Sequence, residues 1–207
     1  MSEHSHKLAP DDFIRLKVKA ELRKRLRGLR KTTPLEACEV RSKAIVARLE
    51  THPAIVGART VALFWPIVSK HEVDLRALDA SLRARQVRIA YPAIDADTNV
   101  MTFHFIDDIT KMEDKGFGFM EPAADAPEAT ALDVIVVPAI AADPAGHRIG
   151  YGAGYYDRTL PRFAPPAISI AVVYDWQLVA EVPAMPDDVP CAGVVTDLRP
   201  LTTPDPH

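Results

Sequence analysis

Cysteine is nearly absent from this sequence of 207 residues, where Cys38 and Cys191 stand far apart and form no CxxC pair. That excludes a disulfide framework and a cysteine-based metal site, and it suits a reducing compartment. No apolar run approaches the ~20 residues that a membrane helix requires. The opening Met1–Lys7 has no apolar core of the kind a secretory leader carries. The expectation is a soluble cytoplasmic protein with no membrane partner. Histidines 71, 104 and 147 lack metal-ligand spacing, and neither cysteine lies in a nucleophile motif. No Ser-His-Asp arrangement can be assembled either, which argues against chemistry through a protein nucleophile. Internal repeats and low-complexity segments are missing. The looser Ala/Pro stretch from Ala123 to Ala131 reads as a loop.

What is present is a chain that is 48% hydrophobic, enough to bury a substantial core. The net charge of −3 is unevenly spread. Between Arg15 and Lys31 lie nine Lys or Arg and one Glu, a local +8 that leaves −11 for the rest. Read as a helix, this segment puts Val18, Leu22, Leu26 and Leu29 on one stripe and Lys19, Arg23, Arg27 and Arg30 on the next. The apolar stripe is expected to be the buried face. A basic helix is most simply a solvated face, and nucleic-acid binding is the other generic reading. Against nucleic acid stand the acidic remainder and the lack of interleaved aromatics.

Along the chain the pattern is an α/β rhythm. Asp11 or Asp12 can cap the basic helix, and Thr33-Pro34-Leu35-Glu36 supplies a start for a second helix ending near Leu49. Strands are expected at Val61 to Phe64, Val87 to Tyr91, Val100 to Phe105, Val134 to Val137, Ile168 to Val173 and Gly193 to Val195. Helices are expected at Leu75 to Arg85 and Tyr155 to Arg162. Residues 1–10 are expected to be disordered, 11–199 to form one α/β domain, and 200–207 to be frayed.

The stretch from Val134 to Asp157 is the most informative. Val134 to Val137 is a β-branched apolar run closed by Pro138, as in a strand covered on both faces. Asp143-Pro144-Ala145-Gly146 has the residues of a type I turn. Gly150, Gly152 and Gly154 then alternate with larger residues, so the backbone can take positive φ and turn N–H groups around an anion. The following helix is expected to add the positive end of its dipole. Arg148 is placed to neutralise a phosphate, and Asp157 to meet a metal that phosphates hold. Alone, the glycine pattern fits a structural loop as well as an anion site. It matches neither the dinucleotide fingerprint nor the Walker loop.

The full string resembles the 5-formyltetrahydrofolate cyclo-ligase (5,10-methenyltetrahydrofolate synthetase) family. Asp143, Gly146, Arg148, Gly150, Tyr151, Gly152, Gly154, Tyr155, Tyr156, Asp157 and Arg158 fall in step with its motif. Lys19-Ala-Glu-Leu-Arg23, Phe64-Trp65-Pro66, Glu72-Val73-Asp74, Gly118-Phe-Met-Glu-Pro122, Val182-Pro183 and Asp188-Val189-Pro190 follow in the family's order. The sequence departs at Ala142 for Phe, Ala153 for Gly, Pro138-Ala139 for Pro-Gly, and Cys191-Ala192 for Val-Asp.

The resemblance implies a three-layer α/β/α fold with a mostly parallel sheet, plus N-terminal helices. It implies that the 5-formyl oxygen attacks the γ-phosphate of ATP, nitrogen-10 closes the ring, and phosphate leaves to give 5,10-methenyltetrahydrofolate. Such phosphoryl transfer is driven by positioning and charge neutralisation. The implied ATP site is Lys19, Arg23, Arg148, Ile149, Gly150, Tyr151, Gly152, Ala153, Gly154, Tyr155 and Tyr156. The implied folate site is Trp65, Glu72, Tyr151 and Tyr155, and Phe64 is left as core. Asp157 and Asp188 would hold Mg²⁺, and Arg148 and Tyr155 would be catalytic. The substrate is a small molecule, the chain is expected to be a monomer, and nucleic acid is not expected as a partner. Taken alone, Glu72 is a solvated loop carboxylate and Asp188 a carboxylate in a Pro-rich turn. Two alternatives stay open: a divergent paralogue that binds folate or nucleotide with weak or no turnover, and a nucleic-acid module using the basic helix.

Overall fold

A computed structural model describes residues 10–95, 97–116 and 120–202. Three helices open the chain: α1 (Pro10–Thr32), α2 (Leu35–Glu50) and the short α3 (Pro53–Gly57). They are followed by β1 (Thr60–Ala62), α4 (Arg76–Ala84), β2 (Arg88–Asp95) and β3 (Val100–Phe105). The antiparallel pair β4 (Met112–Asp114) and β5 (Met120–Pro122) precedes β6 (Val134–Pro138). A small hairpin of β7 (Ala141–Ala142) and β8 (Arg148–Ile149) leads into α5 (Tyr155–Thr159). The described chain ends with β9 (Ile168–Val172), β10 (Gly193–Val195) and β11 (Pro200–Thr202).

Seven strands form one sheet in the order β11-β10-β9-β6-β1-β2-β3. The pairs from β10 to β2 are parallel, and the edge strands β11 and β3 close it antiparallel. A parallel sheet covered on both faces needs apolar side chains at successive positions, which Val134, Ile135, Val136 and Val137 supply, all buried. Alternate residues feed two cores. Val61, Ile89, Val136 and Ile170 meet Ile45, Leu49, Leu78 and Leu82 of α2 and α4. Ala62, Ala90, Val137 and Ala171 meet Leu160 and Phe163, just past α5. The result is three layers, with the α5 side the thinner.

Strand order reverses between β1 and β6. From β1 the chain moves to β2 on one side, and it later returns to β6 on the other. In an open α/β sheet such a reversal leaves a crevice at the carboxyl ends of the two central strands.

Several elements differ from the sequence-based expectation. The second helix begins at Leu35 with Pro34 at its cap position, while the Thr33 hydroxyl turns back to the Leu29 carbonyl at 2.8 Å. The helix expected over 155–162 is one α-helical turn continued by a 3₁₀ turn at Leu160–Arg162. Pro200–Thr202 pairs with β10 rather than fraying, and 203–207 lie outside the described residues, as do 1–9. The motif from Gly118 is described only from Met120 onward. The largest correction concerns α1. Its buried residues are Lys19, Leu26 and Arg30, while Val18 and Leu29 are 43% and 46% exposed. The stripe expected to be buried is partly outside, and Lys19, Arg23 and Arg30 of the basic stripe face the protein while Arg27 is exposed.

Candidate functional site

The crevice between β1 and β6 is built from the loops that leave those strands. After β1, Phe64-Trp65-Pro66 leads to a 3₁₀ turn at Val68–Lys70, and His71 follows in the left-handed region at φ 52°. The His71 imidazole Nδ1 lies 3.0 Å from the carbonyls of both Arg30 and Thr33, pinning this loop to the end of α1. The Glu72 side chain is thereby turned back into the loop. Its Oε2 accepts from the Ile67 backbone N–H at 2.9 Å, and its Oε1 accepts from the Tyr151 hydroxyl at 2.5 Å. Glu72 is buried, so it is not the solvated loop carboxylate that its neighbours in sequence suggest.

After β6, the β7–β8 hairpin turns on Asp143. Its Oδ1 accepts from the backbone of Ala145 and His147, both at 3.0 Å, and its Oδ2 from Val182 at 2.8 Å. Gly146, at φ 84°, completes the turn by donating to the Asp143 carbonyl. The glycine loop follows. Positive φ is used at Gly152 (108°) and Gly154 (68°) but not at Gly150 or Ala153. The alternation therefore overstates the strain in the loop, and alanine at 153 costs it nothing in conformation. Gly154 caps α5, which has only five residues. A helix this short sums few peptide dipoles, so the charge expected from its N-terminus is smaller than a full helix would provide.

The cations come from α1 and β8. Lys19 donates to Asp188, which also accepts from the Met185 backbone N–H at 2.7 Å. Arg23 donates from Nε to the Gly150 carbonyl at 2.8 Å, tying the helix to the loop. Arg148 is already engaged: it bonds Asp157 at 2.8 Å, and the Val189 carbonyl and Cys191 Sγ as well. It serves first to hold Asp157, and a phosphate would have to share it. Arg30 donates from Nη2 to the Tyr151 hydroxyl at 2.5 Å and lies 4.0 Å from Glu72 Oε1. Desolvation and then the Glu72 carboxylate push the Tyr151 hydroxyl well above the ordinary tyrosine range, so it remains a donor. Burial pushes the Cys191 thiol up in the same way, which keeps it neutral beside Arg148.

All of this surrounds one cavity of about 500 Å³, within the size range of small-molecule sites. Its wall brings together every candidate residue from the sequence. Lys19 and Arg23 come from α1, Trp65 and Glu72 from the loop after β1, and Arg148 and Ile149 from β8. Gly150, Tyr151, Gly152, Ala153 and Gly154 form the loop, Tyr155, Tyr156 and Asp157 begin α5, and Asp188 closes the far side. Trp65 is half-buried and edge-on to Tyr91 at 6.1 Å, and Tyr155 bonds Asn99 at 3.3 Å. Phe64, read as core, is buried there and also reaches the cavity wall. Sequence reasoning gave no site role to Ile67, Lys70 and Met185 in the wall, or to Arg30 behind Tyr151. Arg30 had a signal, because it continues the helical spacing of Lys19 and Arg23.

Among the described residues no group of three or more His, Cys, Asp or Glu could hold a metal. Asp157 uses Oδ1 and Asp188 uses Oδ2 for their bonds, and the second oxygen of each has no hydrogen bond among the described residues. This donor set fits Mg²⁺, which takes one or two carboxylates and fills its remaining positions with water and phosphate oxygens. No helix among the described residues is long and apolar enough to cross a membrane.

Comparison with known proteins gives a consistent picture. The model of the 5-formyltetrahydrofolate cyclo-ligase family matches residues 15–197. The 5-formyltetrahydrofolate cyclo-ligase of Escherichia coli K12 is 30% identical over 183 residues, covering 84% of this chain and 96% of that protein. Its namesake from Mycolicibacterium smegmatis is 48% identical over 86 residues, an alignment spanning 40% of this chain and 44% of the relative. The NMR structure of Aquifex aeolicus 5,10-methenyltetrahydrofolate synthetase superposes with a TM-score of 0.79 at 28% identity, covering 92% of this chain and 95% of that one.

Proposed function

Since the chain belongs to the 5-formyltetrahydrofolate cyclo-ligase family, we propose that it converts 5-formyltetrahydrofolate to 5,10-methenyltetrahydrofolate, with ATP going to ADP and phosphate. The observation that carries this reading is the meeting of the glycine loop, the α1 cations and Glu72 in one cavity at the strand reversal. Backbone N–H groups and cations at one end suit a triphosphate. A buried carboxylate between half-buried aromatic walls suits a pterin, whose 2-amino group and adjacent ring nitrogen are donors.

In this reading the formyl oxygen attacks the γ-phosphate, nitrogen-10 closes on the activated formyl carbon, and phosphate departs with that oxygen. The protein needs no nucleophile, in keeping with the absence of a triad. Lys19 and Arg23 offset phosphate charge, the 150–154 loop wraps it, and Glu72 orients the pterin. Arg148 holds Asp157 in place and shares its remaining donors with the phosphates, while Tyr155 lies against the reacting group. Mg²⁺ would be held by Asp157 and Asp188, supplying further neutralisation of phosphate charge. Two of the departures from the family pattern are accommodated, since Ala153 has no need of positive φ and Ala142 is fully buried in the core.

The test is direct. Purified protein with ATP, Mg²⁺ and 5-formyltetrahydrofolate should generate the absorbance of the methenyl product. None at saturating substrate would favour a non-catalytic folate- or nucleotide-binding protein instead. Asp157→Asn should lower the rate about a hundredfold, equivalent to ~3 kcal/mol of transition-state stabilisation. Full activity in that variant, with its fold checked by circular dichroism, would remove Asp157 from the mechanism.

A further inference from the structure

A second cavity, of about 420 Å³, lies against α1 and the turn that precedes His71. Its wall contains six cations, Arg23, Lys24, Arg27, Arg30, Lys31 and Lys70, and no carboxylate. Arg23 and Arg30 are engaged with the Gly150 carbonyl and Tyr151. Lys24, Arg27, Lys31 and Lys70 form no ion pair among the described residues, whereas Lys19 and Arg148, two of the four cations in the first cavity, are matched by Asp188 and Asp157. Arg27 and Lys70 instead crowd the Tyr151 ring, at 5.6 and 4.8 Å from its centroid. In a chain whose acidic residues outnumber its Lys and Arg by 28 to 25, a concave surface with six cations and no acid is far from an average sample. Like charges gathered in a concavity repel one another unless an anion enters.

We infer that this second cavity is a binding site for a small, multiply charged phosphate-type anion, separate from the triphosphate loop and joined to it through Arg23 and Lys70, which line both. Its volume suits a small molecule. It has no row of aromatics on which successive bases of a single strand would stack, so a nucleic-acid strand is the weaker fit. An anion here would draw Arg27 and Lys70 toward itself and away from Tyr151, altering the group that bonds Glu72. The two sites would then influence each other.

The test is calorimetric titration of the full chain with tripolyphosphate at low ionic strength, without folate. Two binding events are expected. Lys24→Gln combined with Lys31→Gln, both outside the proposed catalytic cavity, should weaken one of them about tenfold or more for each cation removed. Lys19→Gln should weaken the other. A single event, or two events unchanged in the Lys24/Lys31 variant, overturns the proposal. So does a single-stranded oligonucleotide that binds this surface at lower concentration than tripolyphosphate, which would make it a nucleic-acid face. Because no folate is present, the outcome is independent of cyclo-ligase turnover, and turnover with a single binding event would refute only this second site.

Discussion

Deleting one oxygen atom, in Tyr151→Phe, would strip a pair of buried charges of the group that joins them. The Tyr151 hydroxyl accepts from Arg30 and donates to Glu72, each at 2.5 Å, while Arg30 and Glu72 themselves stand 4.0 Å apart. Both their side chains are 6% exposed, so water has little access to replace the hydroxyl. A buried polar group left without its partner costs ~1–3 kcal/mol, and charged groups lie toward the upper end. We expect Tyr151→Phe to lower stability by about that amount in urea denaturation and to raise the KM for 5-formyltetrahydrofolate more than that for ATP, because the lost hydroxyl bonds Glu72. An unaltered folate KM would remove the Arg30–Tyr151–Glu72 chain from substrate binding. Glu72 and Tyr151 were legible in the sequence because each belongs to a recognisable motif. Arg30 was not assigned a site role because its significance depends on a hydroxyl 121 residues away, a juxtaposition that only the fold creates.

At the scale of the element, α1 has an unusual attachment. Leu26 is its one buried apolar side chain, with Leu22 partly buried beside it, and the other holds are polar. Arg15 donates to the Ala184 carbonyl, Lys19 to Asp188, Arg23 to the Gly150 carbonyl and Arg30 to Tyr151. Helical periodicity points the apolar stripe inward only where a helix rests on an apolar core. This helix instead lies over a cavity whose wall carries Glu72 and Asp188, and that wall attracts the cations. The small strands were missed for a different reason. β7 and β8 have two residues each, and β4 and β5 three, too few for alternation to be read. β3 and β10, with longer or β-branched runs, were placed at their observed bounds. An element held by few apolar contacts opens at lower free energy than the core does. Backbone amides of α1 should therefore exchange with deuterium faster than those of β6, and added ATP with Mg²⁺ should slow α1 in particular, because Lys19 and Arg23 would gain a phosphate to hold. Exchange in α1 that ignores nucleotide would mean those two side chains do not contact it.

Across the whole molecule, the cavity draws its wall from seven separated regions of the chain: α1, the loop after β1, β2 and β3 at one edge of the sheet, Met120 of β5, Pro138 of β6, the segment from Arg148 to Asp157, and Met185 with Asp188. The parallel core sets those regions at one end of the sheet, and the reversal between β1 and β6 opens the space between them. A ligand there bridges elements that otherwise meet through polar contacts, so binding should resist global unfolding as well as local opening. Linkage gives the size of the effect: a ligand at a hundred times its Kd stabilises by about 2.7 kcal/mol if it binds only the folded state. For a domain of this length each kcal/mol raises Tm by roughly 2–4 °C, so the shift should be roughly 5–10 °C. Differential scanning fluorimetry with a non-hydrolysable ATP analogue and Mg²⁺ measures it, and 5-formyltetrahydrofolate added to that complex should raise Tm further. Lys19→Gln should reduce the nucleotide shift and leave the shift from folate alone. If folate stabilises the protein but nucleotide does not at any concentration, the glycine loop is a structural turn, and the ATP-dependent reading of the cavity fails with it.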